Sequence, residues 1–157
     1  MQPVKKTSFA AEACPVARAL DIIGDWWSLL IVREAMTGTC RFGEFAAHLG
    51  LAKNILTDRL RKLVAHEVLR IVPASDGSAY SEYAITEKGL DLFHVLVALR
   101  QWADRWVPGA CDYTEVLVDL KNREPVAPLE LHAADGRLLT IADVTIQSKE
   151  VSAPKAS

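Results

Sequence analysis

Apolar residues between positions 41 and 69 follow a helical repeat that is interrupted once, at Gly50. Leu56, Leu60 and Leu63 are spaced i, i+4 and i+7, so they share one face of a helix. The opposite face carries small, polar and basic side chains. These side chains are Asn54, Asp58, Arg61 and Ala65, flanked by Thr57 and Lys62. The pattern predicts a short helix, a tight turn and a longer amphipathic helix with one polar face.

The residues before this helix pair carry the signals of two further helices. Pro15 directly follows Cys14 and opens a helix that is predicted to run to about residue 23, since proline lacks only an N–H that the first turn leaves unpaired. Gly24 ends that helix. Asp25 is a good N-cap for the next helix, which is predicted over residues 26–36.

A β-hairpin and a long helix are predicted after the pair. Two apolar stretches, one that begins at Leu69 and one that ends at Ile85, flank a turn signal at Asp76 and Gly77. Thr86 is a suitable cap for a helix that runs to about residue 107. The apolar surface of this helix is wider than docking on its own domain requires, so part of it is predicted to pack on a second subunit. The alternative is a fully buried core helix. The predicted dimer interface comprises Leu92, Leu96, Leu99, Trp102 and Trp106.

The composition changes again after residue 107. Three stretches, at 115–120, 129–133 and 138–147, alternate Val, Leu and Ile with other residues, and Asp135 and Gly136 signal a turn. They predict a small β-rich appendage of two or three strands. The domain organisation expected from these patterns is a flexible arm, a main domain, the appendage and a disordered tail. Their bounds are residues 1–13, 14–107, 108–147 and 148–157.

The fold class that these elements predict is mostly α (α+β). A helix pair followed by a hairpin is a winged helix-turn-helix, here with a long C-terminal dimerisation helix. A helix with one apolar face and one face of small, polar and basic groups suits the major groove of DNA.

The charge of the chain is segregated in a way that agrees with this fold. The 157 residues carry a net charge of −2. Residues 53–70 nevertheless hold five Lys or Arg against two acidic residues, a local balance of +3. This is typical of a basic docking face for double-stranded DNA on a neutral body. The simpler alternative is a solvated helix surface without a partner.

Other classes of function find little support in the sequence. No apolar run approaches the ~18 residues of a membrane span and no secretory signal is present, so a cytoplasmic, nucleoid-associated protein is expected. The cysteines at 14, 40 and 111 and the four histidines lack metal-ligand spacing. No nucleophile–base pair or phosphate-binding loop indicates an enzyme. We therefore expect neither a metal nor a cofactor.

The chain resembles the HxlR-type winged-helix regulators of bacteria, in the MarR-like superfamily, over about residues 14–107. The stretches that carry the resemblance are CPVARALDIIGDWWSLLIVREAMTGTCRFGEF, LTDRLRKLVAHEVL and EYAITEKG. The resemblance implies a homodimeric DNA-binding transcriptional regulator. In such proteins the first and last helices form the dimer and the fourth helix enters the groove. Several members sense oxidants or electrophiles through an N-terminal cysteine, whose counterpart is Cys14.

Two positions depart from the family pattern. The serine that commonly caps the recognition helix is Ala52, and such a replacement typically costs ~1 kcal/mol. The wing often carries an arginine before EY, where this chain has Tyr80 and Ser81. Wing contacts are therefore expected to be weaker, or to come from backbone N–H groups and hydroxyls.

The residues expected to contact DNA lie on the recognition helix and the wing. Arg61 points outward enough for a guanine contact, whereas Arg59, nearer the core edge, suits a phosphate or an internal ion pair. Asp58 could accept from a cytosine amino group, but an ion pair with Lys62 four residues later is favoured. The full predicted set is Lys53, Asn54, Thr57, Asp58, Arg59, Arg61, Lys62, Ser75, Ser78 and Tyr80.

Cys14 is the candidate regulatory thiol. At a helix N-terminus, the positive end of the helix dipole lowers the pKa of a thiol and makes it more reactive. The alternative is an inert, partly buried thiol. The absence of an obvious resolving cysteine nearby in the sequence speaks for that alternative. The four tryptophans could line a ligand pocket, but aromatic residues at helical spacing are more often core.

These observations predict a transcriptional repressor that binds a palindromic operator as a homodimer and responds to an oxidant or small-molecule effector. The alternative is a winged-helix dimer that serves as a protein-interaction module, or a small-molecule-responsive regulator without cysteine chemistry. The missing cap, the altered wing and the net acidity favour that alternative. Salt dependence of DNA retention distinguishes the two, since a module without phosphate contacts shows no slope.

Overall fold

The computed structural model describes residues 8–107 and 116–147, and its order of elements confirms the predicted winged helix-turn-helix. The elements are α1 (Pro15–Ile23), α2 (Ser28–Met36), α3 (Phe42–Leu49), α4 (Lys53–Ala65), β1 (Leu69–Pro73), β2 (Ser81–Ile85), α5 (Glu87–Leu90), α6 (Phe93–Trp106) and a 3-10 helix (Ile141–Asp143). The chain divides into two compact units, one ending at Trp102 and one beginning at Ala103.

Three of the predicted features lie outside the described residues. They are the start of the N-terminal arm at 1–7, the junction at 108–115 that includes Cys111, and the disordered tail at 148–157. Within the described ranges, none of the helices combines the length and the apolar character that crossing a bilayer requires.

The core of the first unit is built on the apolar face of α4. Leu56, Leu60 and Leu63 are buried, as their spacing predicts. They belong to one cluster with Ile31 of α2 and Phe45 of α3. Because this cluster joins three helices, it determines which face α4 turns outward.

The turn between α3 and α4 depends on a glycine. Gly50 ends α3 with a φ of +62°, in the left-handed region that glycine adopts without strain. Helix α4 then begins at Lys53, with Ala52 as an N-cap that has no side-chain hydrogen bond. The departure from the family pattern noted at Ala52 therefore leaves the helix uncapped by a side chain.

Two helix boundaries differ from the predictions. Helix α2 begins at Ser28 instead of residue 26, because the carboxylate of Asp25 accepts hydrogen bonds from the N–H groups of Trp27 and Ser28 and shapes a turn there. The long helix predicted after Thr86 is interrupted between α5 and α6. The N–H of Leu92 bonds to the carbonyl of Gly89, three residues earlier, and this tighter turn ends the first segment.

Residues 8–13 were predicted to belong to a flexible arm but form a turn that is tied to α1. The carboxylate of Asp21 accepts from the hydroxyl of Ser8 at 3.2 Å and from the N–H of Phe9 at 2.9 Å. Arg18 donates to two main-chain carbonyls of the same segment. The start of α1 is thereby held in place from its N-terminal side.

The second unit is less regular than the predicted β appendage. Within residues 116–147, isolated β-bridges take the place of extended strands. They pair Val118 with Pro125 and His132 with Leu138. The strand predicted at 138–147 is interrupted by the 3-10 helix, because Thr140 and Asp143 cap each other's backbone N–H groups and initiate a helical turn.

Candidate nucleic-acid interface

The face of α4 opposite the buried leucines is open to solvent. The exposed side chains predicted to contact DNA on this helix are Lys53, Asn54, Thr57, Asp58 and Arg61. The Thr57 hydroxyl donates to the carbonyl of Lys53 at 2.8 Å, so its remaining capacity toward a base is as an acceptor. A helix that is anchored on one side and polar on the other has the form that the major groove admits.

Arg61 is a highly accessible cation on this face. Its side chain is 75% exposed, and its Nη1 lies 3.5 Å from Oδ1 of Asp58. Because exposed pairs of this kind contribute little, the guanidinium can exchange Asp58 for a base or phosphate. The predicted pair between Asp58 and Lys62 is wrong, since Lys62 lies near Asp25 instead.

Asp25 draws two of the predicted DNA-binding cations toward the protein. The Nε of Arg59 lies 3.0 Å from Oδ1 of Asp25, and the Nζ of Lys62 lies 3.9 Å from Oδ2. Both cations are partly shielded, with 26% and 23% of their side chains exposed. For Arg59 the structure favours the internal ion pair, the second of the two alternatives that its sequence position allowed.

The same carboxylate also holds the start of α2. It accepts from the N–H groups of Trp27 at 3.1 Å and Ser28 at 3.0 Å, and from the Ser28 hydroxyl at 2.6 Å. Burial raises the pKa of Asp25, but the hydrogen bonds from Ser28 and the charge of Arg59 outweigh it, and the net shift is downward. Asp25 was predicted only as an N-cap. Its link to α4 has no signal in the local sequence.

The wing is the hairpin of β1 and β2, with its tip at residues 74–80. The predicted hairpin is present, and its strands pair antiparallel from Leu69 opposite Ile85 to Pro73 opposite Ser81. At the tip, Gly77 has a φ of +73°, which turns the chain without steric strain.

The three wing residues predicted to contact DNA differ in how accessible their polar groups are. Tyr80 is 76% exposed, so its hydroxyl is accessible. Ser75 donates from both its N–H and its hydroxyl to Glu82, so its donors are used within the wing. The N–H of Ser78 donates to Asp76 at 2.9 Å. The accessible polar group that best fits the prediction is therefore Tyr80.

Comparison with known proteins agrees with this geometry. The HxlR-like helix-turn-helix family model matches residues 22–110. The chain belongs to the HxlR-like helix-turn-helix family. It is 43% identical to Rv3095 of Mycobacterium tuberculosis, an uncharacterized HTH-type transcriptional regulator, in a match that spans 67% of this chain and 66% of that relative. The chain thus spans just under two thirds of the length of this relative.

Two solved structures place the fold among transcription factors. PA1607, described as a candidate transcription factor, is 48% identical with a TM-score of 0.85, over 91% of this chain and 100% of that chain. The reduced form of the Bacillus subtilis regulator YodB is 28% identical with a TM-score of 0.53, over 60% of this chain and 94% of that chain. YodB has also been solved bound to quinone. The curated relatives that the chain matches are named HTH-type transcriptional regulators.

In this HxlR-like chain, the candidate regulatory thiol is accessible. Cys14 is exposed and occupies the N-cap of α1, where it makes no capping hydrogen bond. The inert alternative assumed a partly buried thiol, and that assumption is wrong. Its reactivity stays a prediction. The other described thiol, Cys40, is partly buried, and burial, with the nearby carboxylates of Glu82 and Glu44, raises its pKa.

Only part of the predicted dimer interface is exposed. Leu92, in the turn before α6, and Leu96, in the first turns of α6, were placed in the interface but pack against the core of their own chain. The remaining three candidates are exposed: Leu99, Trp102 and Trp106. Two further exposed apolar residues, Val16 and Leu20, are one helical turn apart on α1.

The expectation that the tryptophans are core residues is mostly wrong. Trp27 packs against the core, but Trp26, Trp102 and Trp106 are largely exposed. Trp102 and Trp106 are one helical turn apart on α6, whereas Trp26 precedes α2. No group of His, Cys, Asp and Glu in the described residues of the chain could hold a metal ion.

Proposed function

We propose that the protein is a sequence-specific repressor that binds a palindromic operator as a homodimer and inserts α4 of each subunit into the major groove. The observation that carries the proposal is the division of α4 into two faces. Leu56, Leu60 and Leu63 are buried, and Arg61 with its polar neighbours is open to solvent. Family membership adds that such a helix belongs to a transcriptional regulator.

Exposed apolar side chains support the homodimer. Val16 and Leu20 are exposed on α1, and Leu99, Trp102 and Trp106 are exposed on α6; clustered large apolar side chains are rarely left uncovered in a monomer. In this family the first and last helices are the expected dimer elements. A two-fold axis would set the two copies of α4 about one helical turn of DNA apart, or a multiple of it, and so require a palindrome.

Cys14 is the proposed point at which an oxidant or electrophile acts. Its thiol is exposed and lies beside the apolar residues of α1, so a modification there would reach the proposed dimer surface directly. The structure of YodB bound to quinone, a relative at 28% identity, supports an effector of this class.

The experiment that tests the proposal is selection of binding sites from random DNA by the purified full chain, with and without the oxidant diamide. We expect a palindromic motif under reducing conditions, and a dimer by sedimentation at the same protein concentration. A monomer, or a selected pool with no motif, would contradict the proposal.

A second candidate is a protein-interaction module, or a small-molecule-responsive regulator without cysteine chemistry. The lack of a side-chain cap at Ala52 and the internal use of the Ser75 donors favour it. The affinity for DNA as a function of salt separates it from the first candidate. A DNA-binding dimer loses affinity steeply with salt, whereas a module without phosphate contacts shows no dependence.

A further inference from the structure

We propose that Arg41 is a positioning residue for the wing, which clamps the wing tip to the start of α3 and offsets part of the negative charge at that tip. The inference rests on the proposed function, because it concerns how the same DNA-binding surface is arranged. Sequence reasoning missed Arg41, whose only signal was its place in the RFGE stretch that the family resemblance includes.

The guanidinium of Arg41 bridges two carboxylates that belong to different parts of the wing. Its Nη2 donates to Oδ2 of Asp76 in the tip at 2.6 Å, and its Nε donates to Oε1 of Glu82 in β2 at 3.1 Å. A planar guanidinium can satisfy both acceptors at once, which a lysine ammonium cannot do with the same geometry. One side chain therefore fixes the tip relative to the strand.

Arg41 is itself held in place by its backbone. The carboxylate of Glu44, in the first turn of α3, accepts from the N–H groups of Cys40 at 3.1 Å and Arg41 at 3.0 Å. The carbonyl of Cys40 accepts from the N–H of Tyr83 in β2 at 2.8 Å. The clamp is thus anchored in the first helix of the helix-turn-helix, and it transmits the position of that helix to the wing.

Glu82 explains why this clamp needs a cation. Glu82 is 6% exposed, and a buried carboxylate is tolerated only with hydrogen bonds and a countercharge. Ser75 supplies two hydrogen bonds, from its N–H at 3.2 Å and its hydroxyl at 3.3 Å. Arg41 supplies the countercharge. Its loss would leave Glu82 unpaired and loosen Ser75 at the base of the tip.

The pair with Asp76 also bears on the approach to DNA. Asp76 is exposed at the wing tip, the segment that also includes Tyr80, and an unpaired carboxylate there would repel phosphates. The hydrogen bond from Arg41 lowers the pKa of Asp76, and the bond to Asp76 raises the pKa of Arg41. Both groups therefore stay charged at neutral pH. Arg41 is one cation facing the carboxylates of Asp76 and Glu82, so it reduces the charge of this group from −2 to −1.

The first test needs no DNA. Amide hydrogen exchange of residues 74–81 is measured in the free wild type and in Arg41→Ala, Arg41→Lys and Asp76→Asn. We expect faster exchange in all three, least in Arg41→Lys, with the amides of α4 unchanged. Asp76→Asn keeps Glu82 paired with Arg41, so this variant tests whether Arg41 holds the wing tip even if Arg41→Ala does not fold. Wild-type exchange at the tip in Asp76→Asn would overturn the proposal.

The second test uses the selected operator. In a DNA footprint, Arg41→Ala is expected to lose the protection that the wing gives to the DNA beside the α4 contacts, and its affinity should fall on the order of tenfold, while the protection from α4 remains. In Arg41→Ala/Asp76→Asn, part of the affinity returns because the acid is gone, but the flanking protection does not. An unchanged footprint in Arg41→Ala would refute the positioning role. If the wild type selects no DNA, the proposed function fails, and the exchange experiment alone decides whether Arg41 holds the wing.

Discussion

Replacement of Asp25 tests how firmly the recognition helix is held to the rest of the protein. Asp25→Ala removes the acceptor of the Trp27 and Ser28 N–H groups at the start of α2 and the partner of Arg59, at a side chain that is only 21% exposed. Loss of these hydrogen bonds costs about 1 kcal/mol. Loss of a hydrogen-bonded charge beside a shielded Arg59 adds about 1–2 kcal/mol, since part of the guanidinium is solvated. We expect a decrease of about 2–3 kcal/mol in the free energy of unfolding.

The matched variants separate these hydrogen bonds from the charge. Asp25→Asn keeps an oxygen that can accept from the N–H groups at the start of α2 and loses the ion pairs with Arg59 and Lys62, so a smaller decrease of about 1 kcal/mol is expected. Asp58→Ala is the control, because its pair with Arg61 is exposed and should be worth less than about 0.5 kcal/mol. Urea denaturation followed by far-UV circular dichroism measures all three. A loss in Asp25→Ala no larger than that in Asp58→Ala would show that the reasoning is wrong.

The pH dependence of stability gives a second measurement on the same group. Because the folded pKa of Asp25 is below its ordinary value, its contribution is present above the unfolded pKa of about 4 and is lost as the pH falls through the folded pKa. The difference in unfolding free energy between wild type and Asp25→Asn should therefore be constant from pH 7 to about pH 5 and shrink below that. A difference that grows toward acid would contradict this sign.

Three further predictions concern the proposed binding of DNA. Arg61→Ala should weaken operator binding by ~1–3 kcal/mol if Arg61 contacts a base, as measured by fluorescence anisotropy. Arg33→Ala is the control, an exposed arginine outside the predicted contact set; an operator affinity of Arg61→Ala equal to that of the wild type would count against that contact. Cys14→Ser should abolish the effect of diamide on operator affinity, and an undiminished effect would move the sensor elsewhere. Arg59→Ala should change the slope of log K against log salt less than Arg61→Ala, because Arg59 is paired with Asp25; equal changes would place both on phosphates.

Much of the fold could be predicted from local patterns. The leucines at 56, 60 and 63 and the turn at Gly77 are set by spacing and backbone conformation, which the sequence displays directly. The interruption between α5 and α6 could not be predicted, because the residues around Gly89 have no helix-breaking proline or other strong stop signal. The bridges of the second unit were mistaken for strands because alternation alone does not provide a pairing partner.

The candidate site was less predictable, for a physical reason. Which cations of α4 are free for DNA depends on carboxylates that are distant in sequence, such as Asp25, 34 residues before Arg59. The same holds for Arg41 and its two carboxylates in the wing. A helical wheel assigns a side chain to a face, but only the fold shows which acid lies next to that face.

The ion pairs of Asp25 and of Arg41 reduce the number of cations in the helix-turn-helix that are free to bind DNA. An arginine that is paired within the protein contributes rigidity instead of phosphate affinity, because releasing it for DNA would leave a carboxylate such as Asp25 or Glu82 without its countercharge. The local charge of residues 53–70 therefore overstates the number of available phosphate contacts. The argument implies that discrimination between operators depends on how rigidly α4 and the wing are held, with few freely exposed cations such as Arg61 making the contacts themselves.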